Sequence, residues 1–425
     1  MADAGPAGPG GAPSRHPTSR RRIAPDSLAM TLLLTTLVAF GALSNNTYLP
    51  SFPSMTRELG VPIASVLLTL SSFFIGFAAG QLIYGSASDR WGRRPILLGG
   101  LAAYTVASAI CALAPDIETL IAARFVQGLA VASTQVLARA IVRDLFTPDK
   151  AARMLSVMAA VFTLVPGFAP LVGGIMETAF GWRATFVMLT GIGAATAFAV
   201  WRGFGESLPR ADARALDPAR LVDNYGAIVR SRAFLGYSLA FAFIFAGMFA
   251  FHAGSSFVFI ELLGFRPEIY GLFFMTVVMG YFAGSVASAR LTLRLGYRRL
   301  VQVGGVIAIV GGGLMVGLVF AGLRGWWVIV LPQFVFMMGT GLIMPNAIAG
   351  ALAPFPEKAG AASALFGFLQ QITAAGMIAL IGLAADGSER PMAAGIFAGA
   401  CLSLAACRVA AAGARRKAEP ASPRG

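Results

Sequence analysis

The run Gly85-Ser86-Ala87-Ser88-Asp89-Arg90-Trp91-Gly92-Arg93-Arg94-Pro95 is a densely charged stretch set between two apolar runs in the first half of the chain. An apolar run from Ile63 to Tyr84 precedes it and another from Ile96 to Ala114 follows. Each is close to the roughly 20 residues that a helix rising about 1.5 Å per residue needs to cross a bilayer. The chain is therefore expected to cross, turn in a few polar residues and cross back. The three arginines of the turn mark the cytoplasmic side, because short cytoplasmic loops carry the excess of Lys and Arg.

Composition extends this reading to the whole chain. Of its 425 residues 57% are hydrophobic and only 12% charged, against roughly 25% charged in a soluble domain, and the mean hydropathy is +0.75. A net charge of +14 points to nucleic acid in a soluble protein; here the arginines fall in short loops, so no nucleic-acid partner is implied. Cys111, Cys401 and Cys407 lie in apolar runs without a CxxC spacing, and the histidines are His16 and His252 alone, so neither a disulfide frame nor a metal site is expected. Lys150, Lys358 and Lys417 are each followed by alanine, which excludes a GxxxxGK[ST] phosphate loop. No cofactor is expected, and no Ser/His/Asp set can be assembled for an enzyme.

Residues 1–26, rich in Pro, Gly, Ala and Arg, read as a disordered cytoplasmic tail and not a signal peptide. Spans are expected at 28–48, 63–85, 96–114, 120–141, 154–177 and 184–201, then at 233–254, 269–289, 300–321, 326–350, 359–384 and 392–411. Assigning the loops alternately to two sides puts 27 Lys and Arg with the N-terminus and 5 opposite, leaving Arg124 inside the membrane. Twelve helices and two cytoplasmic termini satisfy that asymmetry. The Arg-rich stretch 203–232 reads as a linker between six-helix bundles at 27–202 and 233–412, with a short tail at 413–425. Leu293-Arg294-Leu295-Gly296-Tyr297-Arg298 faintly repeats Asp89-Arg90-Trp91-Gly92-Arg93-Arg94 at the matching place in the second half. Two parallel six-helix repeats around a midplane site are a transporter design.

Three intramembrane features carry chemistry, each with a plainer reading beside it. Arg124, Gln127 and Gln135 project within one sector of about 80° at about 100° per residue, a polar stripe suited to a water-filled cavity; Arg124 snorkelling to the interface is the alternative. Pro166, Gly167, Pro170, Gly173 and Gly174 crowd the fifth span, where they kink the helix and admit a close neighbour. His252, in the seventh span, is the residue type whose unperturbed pKa of about 6.5 lies near working pH, or else a side chain satisfied by a helix carbonyl.

These strings resemble a known family. Gly85, Asp89, Arg90, Gly92, Arg93 and Arg94 match G-x-x-x-D-R-x-G-R-R, the signature of the second loop of the major facilitator superfamily, which implies an all-α fold of twelve helices in two pseudo-symmetric bundles. There the acid and arginines are implicated in latching the cytoplasmic gate. Arg124-Phe-Val-Gln127-Gly128 resembles the fourth-helix motif of its drug:proton antiporters, whose Arg is implicated in proton coupling. Ala169-Pro170-Leu-Val-Gly173-Gly174 is similar to the antiporter motif G-P-x-x-G-G, with Ala for the first Gly. Ser44-Asn45-Asn46-Thr47-Tyr48-Leu49-Pro50, Phe245-Ala-Gly-Met-Phe249, Phe257-Val-Phe-Ile-Glu261 and Phe355-Pro-Glu-Lys358-Ala-Gly360 look like stretches of the bicyclomycin/chloramphenicol resistance subfamily of multidrug exporters.

The resemblance implies a monomer in the bacterial inner membrane that exports small amphipathic drugs or metabolites in exchange for protons by alternating access. It also implies a cavity walled by the first, fourth, seventh and tenth helices, with candidate contacts Asn45, Asn46, Tyr48, Arg124, Gln127, Gln135, Phe245, Phe249, His252, Met337 and Asn346. Where the family pattern S-x-D-x-Y-L-P has an acid, this chain has Asn46, which cannot titrate. Arg124 and His252 are therefore the candidates for proton coupling. An uncoupled facilitator or single-metabolite exporter, and a non-transporting membrane sensor, remain the other readings.

Overall fold

The computed structural model describes residues 23–418; most of the expected tails, His16 included, lies outside the described residues. Among the described residues the regular structure is all helical. Elements follow in the order α1 (Leu28–Asn46), α2 (Phe52–Leu59), α3 (Ile63–Trp91), α4 (Arg93–Leu113), α5 (Ile117–Leu145), α6 (Pro148–Phe180) and α7 (Trp182–Gly203). After them come α8 (Pro218–Val229), α9 (Arg232–Ser256), α10 (Pro267–Phe320), α11 (Trp326–Leu352), α12 (Ala359–Leu383) and α13 (Arg390–Ala418). Among the described residues eleven helical stretches are long and apolar enough to span a membrane. One of them, α10, holds 54 residues but breaks at Gly296, whose φ of 75° is left-handed. It is two spans in series, so twelve crossings stand.

The stretch around Asp89 corrects the expectation of a polar turn. Helix α3 continues through Trp91 and α4 begins at Arg93, so Gly92 alone, with φ 99°, makes the corner. Hydropathy marks where lipid ends and not where a helix ends, and Ser86 to Arg90 carry α3 on beyond the apolar zone. Helix starts are capped in ordinary ways. Asp116 Oδ1 accepts from the Thr119 N–H at 2.8 Å, which holds its carboxyl below the usual carboxylate range, and the Ser231 side chain accepts from Phe234 N at 3.3 Å.

The stretch 203–232, expected as a linker, contains the amphipathic helix α8. Its Ile228 is buried, while Tyr225 Oη donates to the Leu82 carbonyl of α3 at 3.5 Å and Asp223 faces Lys358, at the start of α12, at 3.8 Å. The linker thus touches both halves at the basic end. In the first half α5 packs on α3 and α4; in the second α11 packs on α10, and α9 on α13. Across the halves the main seams are α3 against α12 and α6 against α10. Outward faces stay apolar, as at Val187 and Phe198 of α7, which suits a surface solvated by lipid tails.

Candidate functional site at the seam between the halves

At the end opposite the basic loops the two halves are drawn together. Arg57 of α2 pairs with Glu261 of the second half, and the neighbouring Glu58 pairs with Arg183 and accepts from Trp182 Nε1 at 2.8 Å. Gly173 lies so close to the turn after α1 that a Cβ there would come within 1.7 Å of the Thr47 carbonyl oxygen, and one on Gly174 within 2.3 Å of the Pro267 carbonyl. The glycine-rich face of α6 is therefore a contact surface for both halves at that end. Pro170 is buried in the same face, and Gly167, one turn earlier still, meets Val278 of α10.

Midway along the seam Phe74 of α3 meets Phe249 of α9 edge to face at 4.5 Å, and Ser71 Oγ donates to the Ala375 carbonyl of α12 at 2.8 Å. Here a cavity of about 80 Å³ is lined from both halves. It brings together seven of the expected residues: Asn45, Asn46, Gln135, Phe245, Phe249, His252 and Met337. Sequence reasoning missed the contributions of α3 (Phe74, Phe77), α6 (Phe162, Thr163), α10 (Phe274, Tyr281) and α12 (Gln370, Gln371). For α12 a signal exists, since two adjacent amides inside an apolar span are out of place unless something polar faces them. Among the described residues no Asp, Glu, Lys or Arg lines this cavity. Its chemistry is aromatic and thioether contact with a few amides, a combination that accommodates mixed apolar and polar ligands.

Four expected contacts lie elsewhere in this conformation. Arg124 is fully buried inside the first half, its Nη1 donating to the Ser44 carbonyl at 3.1 Å and to Gln127 Oε1. Gln127 in turn donates to Ser108 Oγ of α4 at 2.7 Å. The guanidinium carbon sits 4.4 Å from the Tyr48 ring centre and 4.3 Å from that of Phe73, while Nε and Nη2 have no hydrogen-bond partner. Tyr48 is thus packed against Arg124 and does not line the cavity. Asn346 ties α11 to α10 by donating to Ser288 Oγ at 2.7 Å and accepting from Thr292 Oγ1 at 3.2 Å. The polar stripe therefore divides: at the depth of Arg124 and Gln127 that face of α5 is covered by α1 and α4, and only Gln135 reaches the cavity, taking a 3.2 Å bond from Gln81. His252 Nδ1 lies 2.7 Å from the Met248 carbonyl and its ring stacks on Phe249 at 4.4 Å. That bond fixes the proton on Nδ1 and leaves Nε2 as an acceptor.

Toward the basic end a second, larger cavity of about 620 Å³ opens, lined by Gly85, Asp89, Arg93, Arg139 and Arg143 of the first half and by Lys358 of the second, with α8 along one side. Arg93 is the hub of its wall. It bonds Asp89 at 2.6 Å and Asp144 of α5 at 2.9 Å, while its own backbone N–H and that of Arg94 reach Glu206 at 2.9 and 3.1 Å. Arg94 also donates to the Trp201 carbonyl at 2.8 Å, and Asp212 N donates to the Asp89 carbonyl at 2.9 Å. Arg90 rests on Trp91, 5.7 Å from its ring centre. The charges of the quoted stretch are thus tied to the first half and the linker.

Comparison with known proteins shows the family and the fold. The family model described as Major Facilitator Superfamily matches residues 33–376. The chain is 30% identical to Multidrug resistance protein D of Escherichia coli (strain K12), over 80% of this chain and 85% of that one. It is 30% identical to a Bicyclomycin resistance protein homolog of Haemophilus influenzae (85% and 89% covered) and to a Chloramphenicol resistance protein of Pseudomonas aeruginosa (80% and 80%). A solved structure of the xylose transporter XylE from E. coli, in a partially occluded inward open conformation, superposes with a TM-score of 0.70 at 13% identity, covering 89% of this chain and 96% of that one. With twelve crossings, a cavity shared by two halves and a family model spanning most of its length, this chain belongs to the Major Facilitator Superfamily.

Proposed function

We propose that the protein exports small amphipathic compounds of the drug type, in exchange for protons, by alternating access. The observation that carries the reading is the pair of cavities between the halves: a small aromatic and amide-lined site at mid-depth, and a wide, separately lined vestibule toward the basic end. A substrate enters from the vestibule, and the halves, 27–202 and 233–412, then rock about the site while the linker 203–232 keeps them joined. In this reading the basic end and both termini are cytoplasmic, the membrane is the bacterial inner membrane, and a monomer suffices. The drug-resistance names of the relatives favour export over uptake.

Coupling is assigned to His252, with Arg124 holding the adjoining wall. With the Nδ1 proton committed to Met248, the Nε2 lone pair accepts either a proton or a substrate donor, and not both. Competition for one lone pair is the simplest exchange that this cavity supports. Expression in an efflux-deficient strain should lower susceptibility to uncharged antibiotics, and a protonophore should abolish the protection. Proton release or uptake on substrate addition should disappear in His252→Ala; if it persists unchanged, His252 is not the carrier. A second reading, uncoupled facilitation, is favoured by Asn46 standing where related exporters carry an acid, and efflux that survives the protonophore would select it.

A further inference from the structure

Among the described residues none lines both the central cavity and the vestibule, and three helices pass from one to the other. On α3 the change comes between Phe77, in the cavity wall, and Gln81, in the vestibule wall; on α5 it comes between Gln135 and Arg139, and on α12 between Gln370 and Ala364. A single side chain occupies that level. Gln81 is 4% exposed, and its Nε2 donates to Gln135 Oε1 at 3.2 Å, so an amide of the vestibule wall is bonded to an amide of the cavity wall. Gly367, midway between Ala364 and Gln370, lies against the same amide: a Cβ there would come within 2.8 Å of Gln81 Oε1. Gln81 therefore reaches from the first half into a notch on the second. Beside the notch Phe366 meets Phe241 of α9 edge to face at 4.8 Å, one turn toward the basic end from Phe245 of the cavity wall.

A bond between α3 and α5 could serve only to hold those two helices together, but they have little need of it. Their backbones are already in contact, since a Cβ on Gly76 would come within 2.1 Å of the Phe125 carbonyl oxygen and one on Gly128 within 1.9 Å of that of Phe73. Nor does a bond inside the first half account for the fit against Gly367 of α12. A neutral amide–amide bond is modest in net strength once water can replace it, and water has room to do so in the vestibule at its edge. A side chain released from such a bond turns over in picoseconds to nanoseconds. Any movement of α12 along α3 withdraws the notch and frees the amide, so the position of the halves sets how firmly Gln81 is held.

We propose that Gln81 is the threshold residue of the transport path: its amide, held by Gln135 and seated at Gly367, separates the central cavity from the vestibule, and a ligand passes only when that bond opens. This rests on the alternating-access reading and names the inner barrier of its site. Gln81 acts by position, admitting or shutting out what moves between the two spaces. Gly367 is the matching part on the other half, because any larger residue displaces the amide.

The test is the rate at which a water-soluble methanethiosulfonate modifies single cysteines in the full-length protein in lipid nanodiscs, with Cys111, Cys401 and Cys407 replaced by alanine. Met337→Cys reports on the central cavity and Ser86→Cys on the vestibule. Adding Gln81→Ala should speed modification of Met337→Cys by about three- to tenfold, the shift that one neutral hydrogen bond governs, and leave Ser86→Cys within about twofold. Gly367→Ala, which crowds the amide from the other half, should act in the same direction. A bond that serves only packing would lower the thermal unfolding midpoint without changing the ratio of the two rates. An unchanged ratio in Gln81→Ala overturns the proposal; should that variant not fold, the ratio in Gly367→Ala decides. The measurement involves no efflux, so the threshold and the export reading fail separately.

Discussion

Arg124 holds a full charge in the interior of the first half with two aromatic rings where a carboxylate would be expected. Placing a guanidinium at mid-membrane costs about 2.5–3.5 kcal/mol on insertion scales. Each desolvated cation–π contact returns about 2 kcal/mol, so Tyr48 and Phe73 together offset the charge without an ion pair. Lysine keeps the charge but not the flat stacking surface. Arg124→Lys is therefore expected to destabilise the protein by about 1–3 kcal/mol, seen as a lower thermal unfolding midpoint in detergent. An unchanged midpoint would mean that the rings do not hold the charge. At this scale the sequence was half legible. That Arg124, Gln127 and Gln135 share a face followed from helical spacing, but which neighbour covers each level of that face depends on how α1 and α4 cross α5. Asn346 misled for the same reason, since an amide in an apolar span fits a cavity or an interhelical bond equally well, and Ser288 and Thr292 were there to take it.

The junction between α3 and α4 shows how one element holds several others. Arg93 is 5% exposed and answers two acids, but unequally: the Asp144 side chain is 14% exposed and that of Asp89 47%. Removing one partner from a buried pair costs about 3–5 kcal/mol, whereas an exposed pair is worth about 0–1 kcal/mol. Asp144→Ala should therefore lower stability by about 3 kcal/mol, and Asp89→Ala by no more than about 1 kcal/mol, when both are compared by thermal unfolding. Equal losses would show that the junction does not rest on the α3–α5 connection. The motif around Asp89 was readable as a basic corner, yet Asp144 and Glu206, its other anchors, lie 51 and 113 residues along the chain from Arg93 and no spacing rule reaches them. The amphipathic helix α8 was hidden by its own composition, because an Arg-rich, Pro-containing stretch looks like a linker whether or not about three turns of it fold against a wall.

For the molecule as a whole, the count of crossings was legible because lipid imposes one length on every span, and the charge asymmetry checked that count. The meeting of the halves was not, since the seams of α3 with α12 and α6 with α10 join residues far apart in sequence through small side chains that give no periodic signal. The central cavity without formal charges carries a further consequence, electrical in kind. If one proton moves inward for each uncharged molecule moved outward, every turnover carries one net positive charge across the membrane. The voltage itself then drives export, at about 2.3 kcal/mol per 100 mV, about a fiftyfold concentration ratio. In proteoliposomes with equal pH on both sides, a potassium–valinomycin potential negative on the vestibule side should accelerate export of an uncharged substrate, and reversing its sign should slow it. Transport that ignores the voltage would mean that no charge moves, as in a facilitator. By lining its site with amides the chain would have turned the exchange of a neutral molecule into a current.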